Sequence, residues 1–355
     1  MKILHISRTM GQGGAEKVVY QICKDANDIE MVVASTGGIY EEELSKIGVK
    51  HYFIPDINDK NPINLIKTFL KLKRIIKKEK ITIIHSHHRM AAFYSKILSI
   101  FNRKIKRIYT AHNVFYNKKK LLKFSLSGSE IVAVGDGVKN NLIQFYEIKE
   151  EKIKIIYNSI DKLKKINKPE DEFLKNRSNK ILIGTVGRLS EQKGIDTFIL
   201  SISELIYKNK NIFGIVIGDG ELMEELKMLS QKLNIENNIK FLGYRSDVIE
   251  LISEMDFIVL ASRWEGFPLT PIETFSVGKT IIASNINGNN EIVKNEYNGL
   301  LFEKDDINEL TEKISILISN TEKRNVFEKN AKKTFDEKFS YKAFINNYIK
   351  IYNEL

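Results

Sequence analysis

The sequence predicts two α/β domains in tandem, each a doubly wound parallel sheet. Three observations carry that expectation. The 355 residues are about twice an ordinary domain length. Short β-rich runs alternate with helical segments throughout, the pattern of parallel sheets covered by helices on both faces. A weakly patterned stretch over residues 161–180, rich in Lys, Asn, Asp and Glu, splits the alternation and reads as a linker.

The expected strands of the first half run over residues 2–7, 29–35, 51–54, 81–86, 107–111, 130–134 and 154–157. A second series covers 180–187, 213–218, 239–242, 257–261 and 280–283. Helical stretches over 16–23, 64–78, 196–208, 221–233 and 307–318 lie between them. Open sheets of this kind bind ligands beyond the carboxyl ends of their strands. The site is therefore expected in a cleft where the carboxyl ends of both sheets face each other.

Composition narrows the classes. Hydrophobic residues make up 43% and charged residues 28%, a globular mix that excludes collagen-like or wholly disordered chains. Cys23 is the single cysteine, so no intrachain disulfide forms. No apolar run is long enough for a transmembrane helix, and Met1 to Arg8 reads as a first strand and not a signal peptide. A cytoplasmic protein is expected. Its charge is lopsided: residues 1–160 hold 28 basic and 15 acidic side chains, +13, and the remainder holds 28 and 30, −2. An anionic partner is expected on the first half.

Two segments carry the chemistry. In Gly184-Thr185-Val186-Gly187-Arg188-Leu189-Ser190-Glu191-Gln192-Lys193-Gly194, a buried strand runs into a loop with two cations ahead of a helix. Arg188 and Lys193, an exposed loop lysine on this reading, suit a diphosphate at that helix N-terminus. Ser262-Arg263-Trp264-Glu265-Gly266-Phe267-Pro268-Leu269-Thr270-Pro271-Ile272-Glu273 follows the strand at 257–261. Thr270 reads there as a helix N-cap, Pro271 as the first helical residue and Glu273, three residues after the cap, as the partner in a capping box. Glu265 stands before the helix, where a carboxylate can accept hydrogen bonds from sugar hydroxyls. A weaker signal is Gly11-Gln12-Gly13-Gly14-Ala15-Glu16, a glycine-bearing turn from the first strand into a helix.

Taken together, Gly187-Arg188-Leu189 with Lys193-Gly194, Glu265-Gly266-Phe267-Pro268-Leu269 with Glu273, Glu291-Ile292-Val293 with Asn298-Gly299-Leu300-Leu301, and Gly13-Gly14-Ala15-Glu16 resemble the retaining GT-B glycosyltransferases of family 4. The resemblance implies two Rossmann-like domains facing each other across a cleft. Residues 1–165 would bind the acceptor, residues 166–339 the nucleotide-sugar donor, and a helix over 340–355 would cross back onto the first domain. It implies Arg188 and Lys193 on the diphosphate, Glu273 on the ribose, and Glu265 with the backbone of Gly266, Phe267, Pro268 and Leu269 around the transferred sugar. Gly13, Gly14, Gly243 and Tyr244 join the donor side. His112 would reach the donor sugar near the reacting carbon, and His87 and His88 would line the acceptor side. His5, between Leu4 and Ile6, reads as packed.

His85, His87 and His88 end one strand and His112 the next, which offers a three-histidine metal site, but no carboxylate joins them at ligand spacing, and the chain has no DxD motif. No metal or cofactor is expected. The implied activity is a retaining, metal-independent hexosyltransferase using a UDP-sugar to extend a glycan or lipid-linked glycan in bacterial cell-surface polysaccharide synthesis. A catalytically silent partner of the same fold and a nucleotide-sugar epimerase are the rivals. The complete set Arg188, Lys193, Glu265 and Glu273 speaks against silence. In residues 64–80, Leu65, Phe69, Leu72 and Ile76 form one stripe and Lys67, Lys71, Arg74 and Lys78 another, and Lys118 to Lys123 add a basic cluster. These suit the anionic inner face of a cell membrane. No motif suits nucleic acid.

Overall fold

A computed structural model describes residues 1–26, 28–161, 166–175 and 179–355. Residues 162–165 and 176–178 of the expected linker lie outside the described residues. The chain divides into two units: Met1–Asn158 with Tyr341–Leu355, and Ser159–Ser340.

The first unit is built on seven parallel strands: β1 Lys2–Ile6, β2 Glu30–Ser35, β3 Lys50–Phe53, β4 Ile83–Ser86, β5 Lys106–Ala111, β6 Glu130–Ala133 and β7 Ile153–Ile155. Their order is β3-β2-β1-β4-β5-β6-β7. Successive side chains of a strand face opposite ways, so Ile3 and Leu4 enter different cores. Ile3, Val33, Ile83 and Ile108 pack with Val18, Val19 and Ile22 of the helix Gly14–Asp25. Phe344, Tyr348 and Tyr352 of the helix Tyr341–Asn353 complete that side. Leu4, Ile6, Val32 and Ile84 pack on the other face against Leu72, Ile75 and Ile76 of the helix Pro62–Glu79 and Tyr94 and Leu98 of the helix Arg89–Phe101.

The second unit contains β8 Ile181–Val186, β9 Ile212–Ile217, β10 Ile239–Phe241, β11 Phe257–Leu260, β12 Ile281–Ser284 and β13 Gly299–Phe302, ordered β10-β9-β8-β11-β12-β13. Strands buried on both faces read as continuous apolar runs, as Phe257-Ile258-Val259-Leu260 does. Phe198, Ile199 and Ile202 of the helix Ile195–Lys208 and Leu310 and Ile314 of the helix Ile307–Ser319 fill its core. The expected strands did not include β13. It opens on Asn298-Gly299, an ordinary turn signal, yet it pairs with β12 from Ile281 opposite Gly299 onward.

In each unit the strand order reverses once, between β1 and β4 and between β8 and β11. Those two junctions place the loops that matter.

Candidate active site

In the second unit, two loops leave the carboxyl ends of β8 and β11. The first ends in a short 3-10 turn, Glu191–Lys193, and enters the helix Ile195–Lys208 through Gly194. Gly194 has φ 58°, and a Cβ there would overlap the carbonyl oxygen of Ala261 at the start of the second loop. Only glycine allows the two backbones this approach. Arg263 stitches them further. Its amide donates to the carbonyl of Gln192 at 2.7 Å, and its guanidinium donates to Asp196 at 2.6 Å, Asp305 at 2.8 Å and the carbonyl of Glu191 at 2.8 Å.

Glu265 sits within this frame and is 6% exposed. Lys193 Nζ lies 2.5 Å from its Oε1, Ser262 Oγ donates to the same oxygen at 2.7 Å, and Gln192 Nε2 reaches Oε2 at 3.4 Å. The Lys193 side chain is only 16% exposed. That corrects the expectation of an exposed loop lysine, because the buried carboxylate holds the ammonium down. The stem of Lys193 crosses Gly187, where a Cβ would stand 3.1 Å from its Cε. Arg188, next in the chain, is exposed and makes no ion pair among the described residues. The loop thus offers one unspent cation and one in a pair that an anion could open.

The helix after the second loop spans Leu269–Ser276, with Pro268 at its N-cap. The expected capping box does not form. Pro268, with φ −69° and extended ψ, ends the loop two residues earlier than Thr270 would, so Thr270 lies inside the first turn and its hydroxyl approaches the Val186 carbonyl at 3.5 Å. With proline at 268 and 271, the N–H groups of Leu269 and Thr270 are the ones the first turn leaves unspent. Glu273 is buried in that helix, and Phe267 is buried as well. Opposite Gly266, a Cβ on Gly288 would stand 2.6 Å from the Gly266 carbonyl oxygen, so the loop after β12 closes tightly on this one. Gly243 and Tyr244 follow β10, two strands from β8, and the Gly243 carbonyl accepts from the Gly218 amide at 2.8 Å. Sequence reasoning missed Ser262, Gln192 and the clamp of Arg263. Their signal was only adjacency to the named residues.

In the first unit, Gly13 is the N-cap of the helix Gly14–Asp25 after β1. The same unit holds a group of imidazoles that the sequence scattered over β1, β4 and the residues just after β4 and β5. His5 of β1 pairs in register with His85 of β4. His5 Nδ1 is 2.9 Å from His87 Nε2, and His87 Nδ1 is 3.0 Å from His112 Nε2. His85 is held separately, by Tyr352 at 2.7 Å and Thr110 at 2.7 Å. Burial drives His5 and His112 down to about 3 and keeps His85 and His87 well below the ordinary value, so all four rings are neutral.

This geometry corrects two expectations. His87 is buried with both ring nitrogens bonded to other histidines, so it does not line an acceptor surface. His5 is buried but is more than packing. His88 leaves the group altogether. It is the N-cap of the helix Arg89–Phe101 and accepts from the Met90 amide at 3.2 Å. Burial, then Arg89 and Arg8, lower it to about 4. The nitrogens of His5, His85 and His87 come within 4.8 Å of one another. No carboxylate belongs to that group among the described residues, so a bound cation there would stand uncompensated.

Residues 167–334 match the family of group 1 glycosyl transferases, and residues 12–162 match Glycosyltransferase Family 4. The chain is 30% identical to the uncharacterized glycosyltransferase MJ1178 of Methanocaldococcus jannaschii over 97% of its own length and 95% of that protein. It is 29% identical to the UDP-Gal:alpha-D-GlcNAc-diphosphoundecaprenol alpha-1,3-galactosyltransferase of Escherichia coli, covering 94% of this chain and 91% of that one. Among solved structures, Alr3699/HepE of Anabaena in complex with UDP and glucose superposes with a TM-score of 0.87 at 21% identity, over 100% of both chains. Two parallel-sheet Rossmann-like units, the two family matches and full-length relatives agree: the chain belongs to the GT-B glycosyltransferases of family 4.

Proposed function

We propose that the chain transfers a hexose, with retention and without a divalent metal, from a UDP-sugar to a lipid-linked glycan in the synthesis of a cell-surface polysaccharide. One observation carries the reading: at the switch point of the second sheet, the loop after β8 carries an exposed Arg188 and a Lys193 that is bonded to Glu265 of the loop after β11. Arg188 and Lys193 would neutralise the leaving diphosphate, supplying the fixed positive charge that DxD proteins obtain from a cation. A donor phosphate would draw Lys193 from Glu265 and free that carboxylate for the sugar hydroxyls. Glu273 would take the ribose, and the Leu269 and Thr270 amides would face the sugar or its phosphate. His112 would take the role the resemblance implies for it, a contact to the donor sugar. Transfer would proceed on the front face, the departing phosphate oxygen accepting the acceptor's proton, so no basic side chain is assigned.

The donor and acceptor classes follow the relatives. The Escherichia coli protein is named for UDP-Gal and a diphosphoundecaprenol acceptor, and the Anabaena protein was crystallised with UDP-glucose. A membrane-borne acceptor also suits the first unit's surface. Lys119 and Lys123, part of the basic cluster picked from the sequence, are paired with Glu147 at 2.6 and 2.9 Å. The helix Pro62–Glu79 offers more. It exposes Ile63, Ile66 and Leu70 beside Lys67 and Lys71, apolar side chains that can enter an interface whose headgroups attract the lysines. No helix among the described residues is long and apolar enough to cross a membrane.

Incubation with a panel of UDP-, GDP- and TDP-sugars and a polyprenyl-diphosphate-linked sugar tests the reading, with nucleoside diphosphate release and the anomeric configuration of the product as readouts. UDP release with a retained α-linkage is expected. An inverted product, or no release from any donor, would overturn it.

A further inference from the structure

The imidazoles His5, His87 and His112 form a line of three neutral rings joined end to end. A neutral imidazole carries one N–H and one lone pair. The line must therefore run in a single direction, and its two ends decide which. At the inner end, His5 Nε2 is enclosed with no hydrogen-bond partner among the described residues. At the outer end, His112 is half-buried, and its Nδ1 takes no partner among them. If the protons point inward, an N–H is stranded in the core at His5. If they point outward, only a lone pair is stranded there, and the last proton emerges on His112. An enclosed, unpaired N–H is the rarer of the two orphans in folded proteins.

We propose that this line fixes His112 as the Nδ1–H tautomer, so that it presents a hydrogen-bond donor to the donor sugar, with His87 and His5 as positioning residues. His5 Nδ1–H donates to His87 Nε2, and His87 Nδ1–H donates to His112 Nε2. The Nδ1–H form is the minor one for a free neutral histidine, so the line imposes a state the side chain would not choose alone. His85 takes no part, because Tyr352 and Thr110 occupy both of its nitrogens. The catalytic half of the proposal rests on the reading that His112 borders the sugar; the tautomer does not.

Long-range proton–nitrogen correlation spectra of the 15N-histidine-labelled protein near pH 7, without substrate, test the tautomer directly, with His112→Gln assigning the signal. A protonated Nδ1 and a bare Nε2 on His112 are expected. Replacing His87 with Ala, which opens room for water beside His112 Nε2, should release the line, shift His112 towards the Nε2–H form and lower turnover roughly fivefold, the worth of one ordinary hydrogen bond. If His87→Ala does not fold, His87→Gln, which keeps a donor, should retain the wild-type His112 signature. An Nε2–H or averaged His112 in the wild type would overturn the proposal. So would stoichiometric zinc in the purified protein whose removal changes the histidine signals. Full turnover of His112→Gln, with the wild-type tautomer as expected, would overturn the sugar-facing role alone.

Discussion

At the switch point of the first unit, β1 and β4 set His5 opposite His85. At the switch point of the second, β8 and β11 set Gly184 opposite Ile258. The sheets share a strand order through six strands, yet they store polarity differently. The first unit keeps neutral imidazoles inside the sheet and its helices. The second keeps its strands apolar and carries charge in the loops beyond them, where Lys193 and Glu265 meet. One order of strands thus supports a site shaped by uncharged hydrogen bonds and another shaped by fixed charge. On the proposed reading, the first would serve the sugar through His112 and the second the diphosphate.

Acid should separate the two units most sharply. All six histidines lie at or before position 112, and burial is the main cause lowering each one. Because the folded values lie below the ordinary 6.5, the unfolded chain takes up protons first. The histidines' contribution is complete above about pH 6.5 and is lost as pH falls towards 3. At pH 5, His5 and His112 should each remove about 2 kcal/mol. Hydrogen exchange in stepped urea, corrected for intrinsic rates, should show residues 1–158 losing about 4 kcal/mol or more between pH 7 and 5 while 159–340 change little. Equal losses in both units would erase the contrast.

The charged site should respond to mutation in turnover and stability together. Lys193→Ala is expected to lower turnover by roughly 10². It should also destabilise the second unit by about 2 kcal/mol, because Glu265 would be left buried with only Ser262 and Gln192 as partners. Adding Glu265→Gln should recover much of the stability and none of the turnover. A Lys193→Ala protein as stable as the wild type would mean the pair is spent in solution, not stored.

Smaller effects belong to the surfaces. Ile66→Asn with Leu70→Asn should weaken binding to anionic vesicles severalfold while transfer to a short soluble acceptor continues, and the residual binding should fall as salt rises. Unchanged vesicle binding would return the helix Pro62–Glu79 to ordinary solvated surface. Excess EDTA should change turnover least of all. Loss on chelation with recovery in magnesium or manganese would remove Arg188 and Lys193 from the leaving-group role.

Much of this was legible because parallel sheets print their strands as apolar runs between helical periods. The loops around Arg188, Lys193 and Glu265 were legible because glycine and proline fix their turns. What escaped depended on distance in sequence. His5, His87 and His112 meet only after β1, β4 and β5 are laid side by side, and no spacing announces that meeting. The burial of Lys193 escaped for the same reason, since Glu265 is 72 residues away. At Thr270 the error was local. A proline at 268 set the helix start before the favoured capping residue was reached.

The central claim is that protein cations in the second unit, Arg188 foremost, hold the donor diphosphate. Calorimetric titration of UDP into the wild type and Arg188→Ala, both in EDTA, addresses it most directly. The wild type should bind without metal, and the variant should bind roughly 10- to 100-fold more weakly, the worth of one charged hydrogen-bonding group. Equal affinity in the two proteins, or wild-type binding that appears only when a divalent cation is added, would contradict it.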